Sequence, residues 1–179
     1  MGPEASRYVS DATPRGGIGR AAVAAILTAG EEILVVKRSE RKGDPWSGDW
    51  ALPGGFWRSI DRDLLDTARR ETIEEAGIDI SGMRVLGWLR ARRPTRLRWV
   101  EVFPLLLSTT SRVQARTSDE ISDFRWVAIK DFLEKELEIM SAAGLQRVSA
   151  MVCGDVVVWG LTRGVLLEIK DYVASGLLP

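Results

Sequence analysis

The chain has 179 residues, 45% of them apolar, and its 25 basic and 25 acidic side chains cancel. This composition suits one globular domain with a sizeable core and gives no general attraction to nucleic acid or to an anionic membrane surface. The absence of histidine excludes Ser-His-Asp and Cys-His catalysis and His-ligated zinc or iron, and a single cysteine, Cys153, excludes an intrachain disulfide and a cysteine-ligated metal.

Residues 1–17 have no apolar signal-peptide core and read as a flexible polar tail, followed by a domain over 18–179 with a cytoplasmic location expected. Residues 20–28 and 33–38 read as strands joined by the turn Ala29-Gly30-Glu31-Glu32. Residues 38–50, with Gly43-Asp44-Pro45 and Ser47-Gly48, form a loop. A helix begins at 61 or 62, runs to 76 and stops at Gly77. Two strands follow at 83–92 and 97–107, separated by Pro94-Thr95, and Pro104 inside the second demands a bulge or a sheet edge. The spacing then predicts a short strand at 124–129, a helix at 130–142 and an amphipathic helix at 160–174. Cys153, among Met151, Val152 and Val156, reads as a small core residue. Asp155 interrupts the longest apolar stretch near the C-terminus, so no membrane span is expected. Strands flanking two or three helices argue an α/β fold, a mixed sheet with helices packed on its faces.

The first helix carries the chemistry. At 3.6 residues per turn, Leu64, Leu65, Ala68, Thr72 and Ala76 form one stripe, with Glu71 and Glu75 along its margin and Glu74 beside them. Glu75 projects between Leu64 and Ala68, where a carboxylate is costly unless paired or bound to a cation. Arg70 lies four residues before Glu74 and can pair with it, but one arginine cannot neutralise three acids. A solvated acidic helix end is the alternative. The preceding Leu52-Pro53-Gly54-Gly55, which brings backbone close to the helix start, favours a metal site built from oxygen ligands, magnesium or manganese by elimination.

Gly55, followed by Arg70, Glu71, Glu74, Glu75, Gly77 and Ile78, resembles the signature of the Nudix (MutT-like) hydrolase family, Gly-x5-Glu-x7-Arg-Glu-U-x-Glu-Glu-x-Gly-U with U bulky and apolar. One extra residue separates Gly55 from Arg70, Asp61 stands near the place of the early glutamate, and Thr72 replaces an apolar residue. That longer spacing, with Asp61, Asp63 and Thr67-Ala68, and the Trp159-Gly160-Leu161-Thr162 opening of the last helix, is similar to the branch that contains coenzyme A diphosphatases. The residues before the box, Asp44 to Trp50, lack the histidine those enzymes carry, and Arg58 stands where they have an acid.

The resemblance implies an α/β/α sandwich and a Mg2+-dependent (or Mn2+-dependent) hydrolase. Its substrate would be a nucleoside diphosphate linked to another group, coenzyme A-like or ADP-ribose-like. It implies metal ligands at Glu71, Glu75 and Glu74, completed by the Gly54 carbonyl, with Arg70 orienting the glutamates. The general base would come from the box, as Glu74, or from a later loop, where Glu120 is the candidate; both stay open. The implied partner is a small-molecule nucleotide, without membrane or nucleic acid, and a homodimer through the apolar last helix is compatible with it. The competing class is a non-catalytic nucleotide sensor or RNA-binding module on the same fold.

Substrate contacts are sought among cations and aromatics. Arginines outnumber lysines twenty to five, and Arg90, Arg92, Arg93, Arg96 and Arg98 crowd one turn, which points either to anion binding or to an exposed hairpin tip. Arg96 and Arg98, taken to share one strand face, rank first. Arg38, at the end of the second strand, is placed to meet a phosphate. Trp57, after the glycine turn, is placed to stack on a base, whereas Trp50 reads as core.

Overall fold

The computed structural model describes residues 8–43, 46–141 and 144–177. Residues 1–7 of the expected tail and Asp44-Pro45 of the expected loop lie outside the described residues. Strand β1 (Arg20–Thr28) is buried along nearly its whole length, as befits a strand covered on both faces. It pairs in parallel with β6 (Glu101–Thr109) and antiparallel with β2 (Glu32–Arg38) and β4 (Gly54–Phe56). Strands β3 (Trp50–Ala51) and β7 (Ile121–Ala128) pair antiparallel with β2, and β5 (Arg84–Trp88) with β6, completing a seven-stranded mixed sheet.

Alternation along the strands sends side chains to two separate cores. Ala22, Ala24, Ile26, Leu34 and Val36 pack with Leu64, Ala68 and Ala76 of α1 (Leu64–Ala76). Ala25, Leu27, Ile33 and Val35 pack with Val165, Leu166, Ile169 and Tyr172 of α2 (Gly160–Ala174). The expected sandwich is thus realised with α1 on one face of the sheet and α2 on the other. Among the described residues no helix is long and apolar enough to cross a membrane. Within residues 8–17, assigned by sequence to the tail, Val9 is buried, Ser10 bridges Trp88, and Pro14 accepts a hydrogen bond from the Leu64 N–H.

The expected strand at 83–92 ends at Trp88, and the one at 97–107 begins at Glu101. Pro104 therefore sits in a central strand, not at an edge. Its carbonyl accepts from the Leu89 N–H just past the end of β5, beyond the last ladder pair Trp88–Leu105, where a missing N–H costs least.

The helix expected at 130–142 is a strand. β8 (Leu133–Ser141) pairs antiparallel with β9 (Gly144–Cys153), which pairs with β10 (Val156–Trp159) in a second, three-stranded sheet. The sequence Leu133-Glu134-Lys135-Glu136-Leu137-Glu138-Ile139 offers leucines four apart and good helix formers, but also a period of two with Glu134, Glu136 and Glu138 on one face. Nine registered partners on β9 decide for the strand. The missed β9 and β10 are joined by Gly154-Asp155, with Gly154 at φ 59°, a two-residue hairpin signal that the sequence carries openly. Cys153 lies half-buried against the α2 core.

Candidate active site

Helix α1 is fixed at both ends by its own sequence. Asp63 caps it, its carboxylate accepting from the N–H groups of Leu65 and Asp66 at 2.9 and 3.0 Å. Gly77 ends it at φ 68°, donating its N–H to the Ile73 carbonyl. Between these caps the face on the sheet buries Leu64, Thr67, Ala68, Thr72 and Ala76. It also buries Glu71 and Glu75, at 7% and 3% exposure, as the helical wheel anticipates.

Two glycines make that burial feasible. The Gly54 N–H donates to Glu75 Oε2 at 2.8 Å, and Arg38 Nη1 lies 3.7 Å from the other oxygen. Burial nevertheless pushes the Glu75 carboxyl up to about 7. A β-carbon on Gly55 would stand 2.6 Å from the Glu71 carboxylate, so only glycine lets this side chain lie against the β4 backbone. Burial also raises Glu71, against the lowering pull of Arg70. Glu74, by contrast, is 45% exposed.

Arg70 organises the carboxylates. Its Nε and Nη2 meet the two oxygens of Asp61 at 2.9 and 2.8 Å, Nη2 also reaches the Phe56 carbonyl at 2.9 Å, and Nη1 reaches Glu71 at 2.5 Å and Glu74 at 3.3 Å. Five contacts occupy the five donors of a guanidinium. Asp61 is buried and further accepts from the Arg58 N–H and the Thr67 hydroxyl, each at 3.0 Å. The arginine beside it holds its carboxyl down at about 2. Sequence reasoning placed Asp61 near the early glutamate but missed Thr67 as its partner and Arg58 as a site residue. The Arg58 guanidinium lies 3.3 Å from Glu74 and 3.9 Å from Glu71.

The other candidates divide. Glu120 comes to the same mouth: its carbonyl takes the Ser39 N–H at 2.8 Å, its carboxylate lies 3.8 Å from Arg41, and its charge is among those that raise Glu75. Arg38 is in place beside Glu75. Trp57 donates its indole N–H to the Asp61 carbonyl at 3.0 Å, and its ring fills the space that a side chain at position 16 would need. Residues 96 and 98 share no strand face, because the segment before β6 is turned, with the Leu97 N–H on the Pro94 carbonyl and the Val100 N–H on the Leu97 carbonyl. Arg96 lies over the Trp159 ring, 5.4 Å from its centroid, at the start of α2, and Arg98 is exposed. Arg92 and Arg93 are ion-paired with Glu168 and Glu101.

The donor set is all oxygen, and two of its carboxylates are buried without full neutralisation, which suits a hard divalent cation in charge and donor type. Among the described residues no three acids converge tightly enough to enclose an ion. Glu71 and Glu74 are turned onto Arg58 and Arg70, and Glu75 onto the Gly54 N–H. The contact observed at Gly54 is its N–H on Glu75 Oε2.

Comparison with known proteins agrees with this geometry. The NUDIX domain model matches residues 19–147. An uncharacterized Nudix hydrolase of Pseudomonas aeruginosa is 30% identical over 121 residues, covering 68% of this chain and 69% of that protein. Nudix hydrolase 21 (chloroplastic) of Arabidopsis thaliana is 31% identical over 106 residues, covering 58% of this chain and 49% of that protein. The chain spans half or less of the length of two of the curated relatives it matches. In fold, the NUDIX domain of Shewanella oneidensis NrtR, solved with ADP ribose, superposes with a TM-score of 0.54 at 17% identity over 97% of this chain and 94% of that one. With the family model covering residues 19–147 and the glycine turn and glutamate helix at its centre, the chain belongs to the Nudix family.

Proposed function

We propose that the protein is a divalent-metal-dependent diphosphohydrolase, cleaving the diphosphate of a nucleoside diphosphate joined to another group. The observation that carries the reading is the burial of Glu71 and Glu75 side by side against the Gly54-Gly55 backbone, with Glu120 brought to the same mouth. Glu71, Glu75 and Glu74 would hold Mg2+ or Mn2+, with the Gly54 carbonyl as a further oxygen. A bound ion supplies Lewis-acid polarisation of the phosphates and a more acidic water. Arg70, locked on Asp61, keeps Glu71 and Glu74 in position. Either Glu74 or Glu120 takes the proton from the attacking water; both are exposed enough to exchange it with solvent. Arg38 stands where a phosphate oxygen beside Glu75 would meet a cation.

Within this class, coenzyme A-like dinucleotides and ADP-ribose lead, with nucleoside triphosphates third. The ADP ribose bound by the Shewanella NUDIX domain supports the second, and the box spacing supports the first. One observation favours a non-catalytic nucleotide sensor instead: the box carboxylates are engaged by arginines. Product analysis over coenzyme A, ADP-ribose, dinucleoside polyphosphates and triphosphates with Mg2+ or Mn2+ decides. Turnover of a diphosphate-linked nucleotide supports the hydrolase, whereas calorimetric binding of ADP-ribose without product supports the sensor.

A further inference from the structure

Two arginines meet Glu71 and Glu74, and they are held in different ways. Arg70 is 13% exposed and has all five donors engaged, three of them on Asp61 and the Phe56 carbonyl, so it has nowhere to go. Arg58 is 54% exposed and reaches Glu74 at 3.3 Å and Glu71 at 3.9 Å. Its backbone is nevertheless fixed: its N–H donates to Asp61 Oδ2 at 3.0 Å, and its carbonyl accepts from the Asp61 N–H at 2.9 Å. An exposed cationic side chain on a hydrogen-bonded backbone therefore lies against two of the carboxylates assigned above to the metal.

A divalent ion on these carboxylates adds positive charge beside both guanidiniums, and the exposed Arg58, not the Asp61-locked Arg70, is the one that can yield to the repulsion. An exposed ion pair of this kind is weak and readily exchanged. A diphosphate drawn to the ion brings anionic oxygens to the place where the displaced guanidinium must settle, and arginine matches such oxygens in geometry.

Resting on the hydrolase reading, we propose that Arg58 is an exchangeable counter-ion. It competes with the divalent cation for Glu71 and Glu74, and on displacement it binds the substrate's diphosphate. Arg58 thereby links metal loading to substrate binding, a role that Arg70 cannot fill.

The test is calorimetry on the full chain and on Arg58→Gln, with thermal unfolding to confirm that the exposed substitution leaves the fold intact. Mn2+ alone is titrated first. Arg58→Gln binds it about three- to tenfold more tightly than the parent, the size expected for losing one partly exposed charge, and Arg58→Lys stays close to the parent. At saturating Mn2+, α,β-methylene-ADP then binds Arg58→Gln at least about fivefold more weakly. Unchanged or weaker Mn2+ binding by Arg58→Gln makes Arg58 an orienting residue and overturns the competition. Unchanged binding of the analogue overturns the diphosphate contact. A parent chain that binds no Mn2+ sinks the hydrolase reading itself, an outcome distinct from both.

Discussion

Arg70 grips both carboxylate oxygens of Asp61, at 2.9 and 2.8 Å, from nine residues away. The grip spans the turn and the cap that contain the extra residue, and it ties the glycine strand β4 to the middle of the glutamate helix through the Phe56 carbonyl. Removing Asp61 leaves a mostly buried guanidinium without its main partner. Asp61→Ala is expected to cost about 3–5 kcal/mol in urea unfolding. A loss below about 1 kcal/mol contradicts the pairing.

Asp61 also has a pH signature. Its carboxyl is held at about 2, below its ordinary 3.8, so the native chain keeps it ionised where the unfolded chain has begun to take up a proton. Its contribution is fully present above about pH 4 and is lost as pH falls towards 2. Asp61→Asn should therefore flatten the acid limb of the stability profile in that window. An acid limb identical to the parent's rules this out.

Glu75 has the opposite sign. Burial raises it to about 7 from an ordinary 4.5, so without divalent ions the folded chain holds a proton that the unfolded chain releases. Stability from this group is greatest below about pH 4.5 and falls as pH rises through 7. Glu75→Gln cannot ionise. Relative to the parent it should gain on the order of 1–3 kcal/mol between pH 5 and pH 8, measured by urea unfolding with a chelator present. A stability difference that does not change with pH counts against a buried, titrating Glu75.

Gly55→Ala tests the close approach of helix and strand. The new methyl would lie 2.6 Å from the Glu71 carboxylate, which must move. Mn2+ affinity should fall at least about tenfold, the scale of a lost ligand geometry, while fold stability changes little. Parental Mn2+ binding would place the cation elsewhere.

Glu120→Gln separates the two candidate bases. If the loop acid takes the proton, kcat falls about 10²–10⁴-fold while Mn2+ affinity, set by the helix, is little changed. A near-parental kcat transfers the role to Glu74.

Much of this site was legible because helical geometry converts sequence spacing directly into position. Glu71, Glu75 and the stripe from Leu64 to Ala76 fell where the wheel put them, and Gly77 marked the helix end; the start, expected at 61 or 62, lies at Leu64, behind the Asp63 cap. What failed depended on distant partners. Residues 133–141 carry both a helical and a strand period, and only pairing with β9 selects between them. Arg96 and Arg98 lie outside β6, in turned backbone that strand alternation does not describe. Trp57 and Arg58 were ambiguous because their surroundings come from elsewhere: Gly16 of the N-terminal segment against one, the α1 carboxylates against the other.

The central claim, that the buried glutamates serve metal-dependent cleavage of a diphosphate, is tested most directly by the Mg2+-dependent turnover of Glu75→Gln on whichever diphosphate-linked nucleotide the parent hydrolyses. Glu75→Gln should be folded, more stable than the parent at pH 8 in the presence of chelator, with turnover reduced by about 10²-fold or more. A folded Glu75→Gln that hydrolyses the same substrate at the parental rate contradicts it.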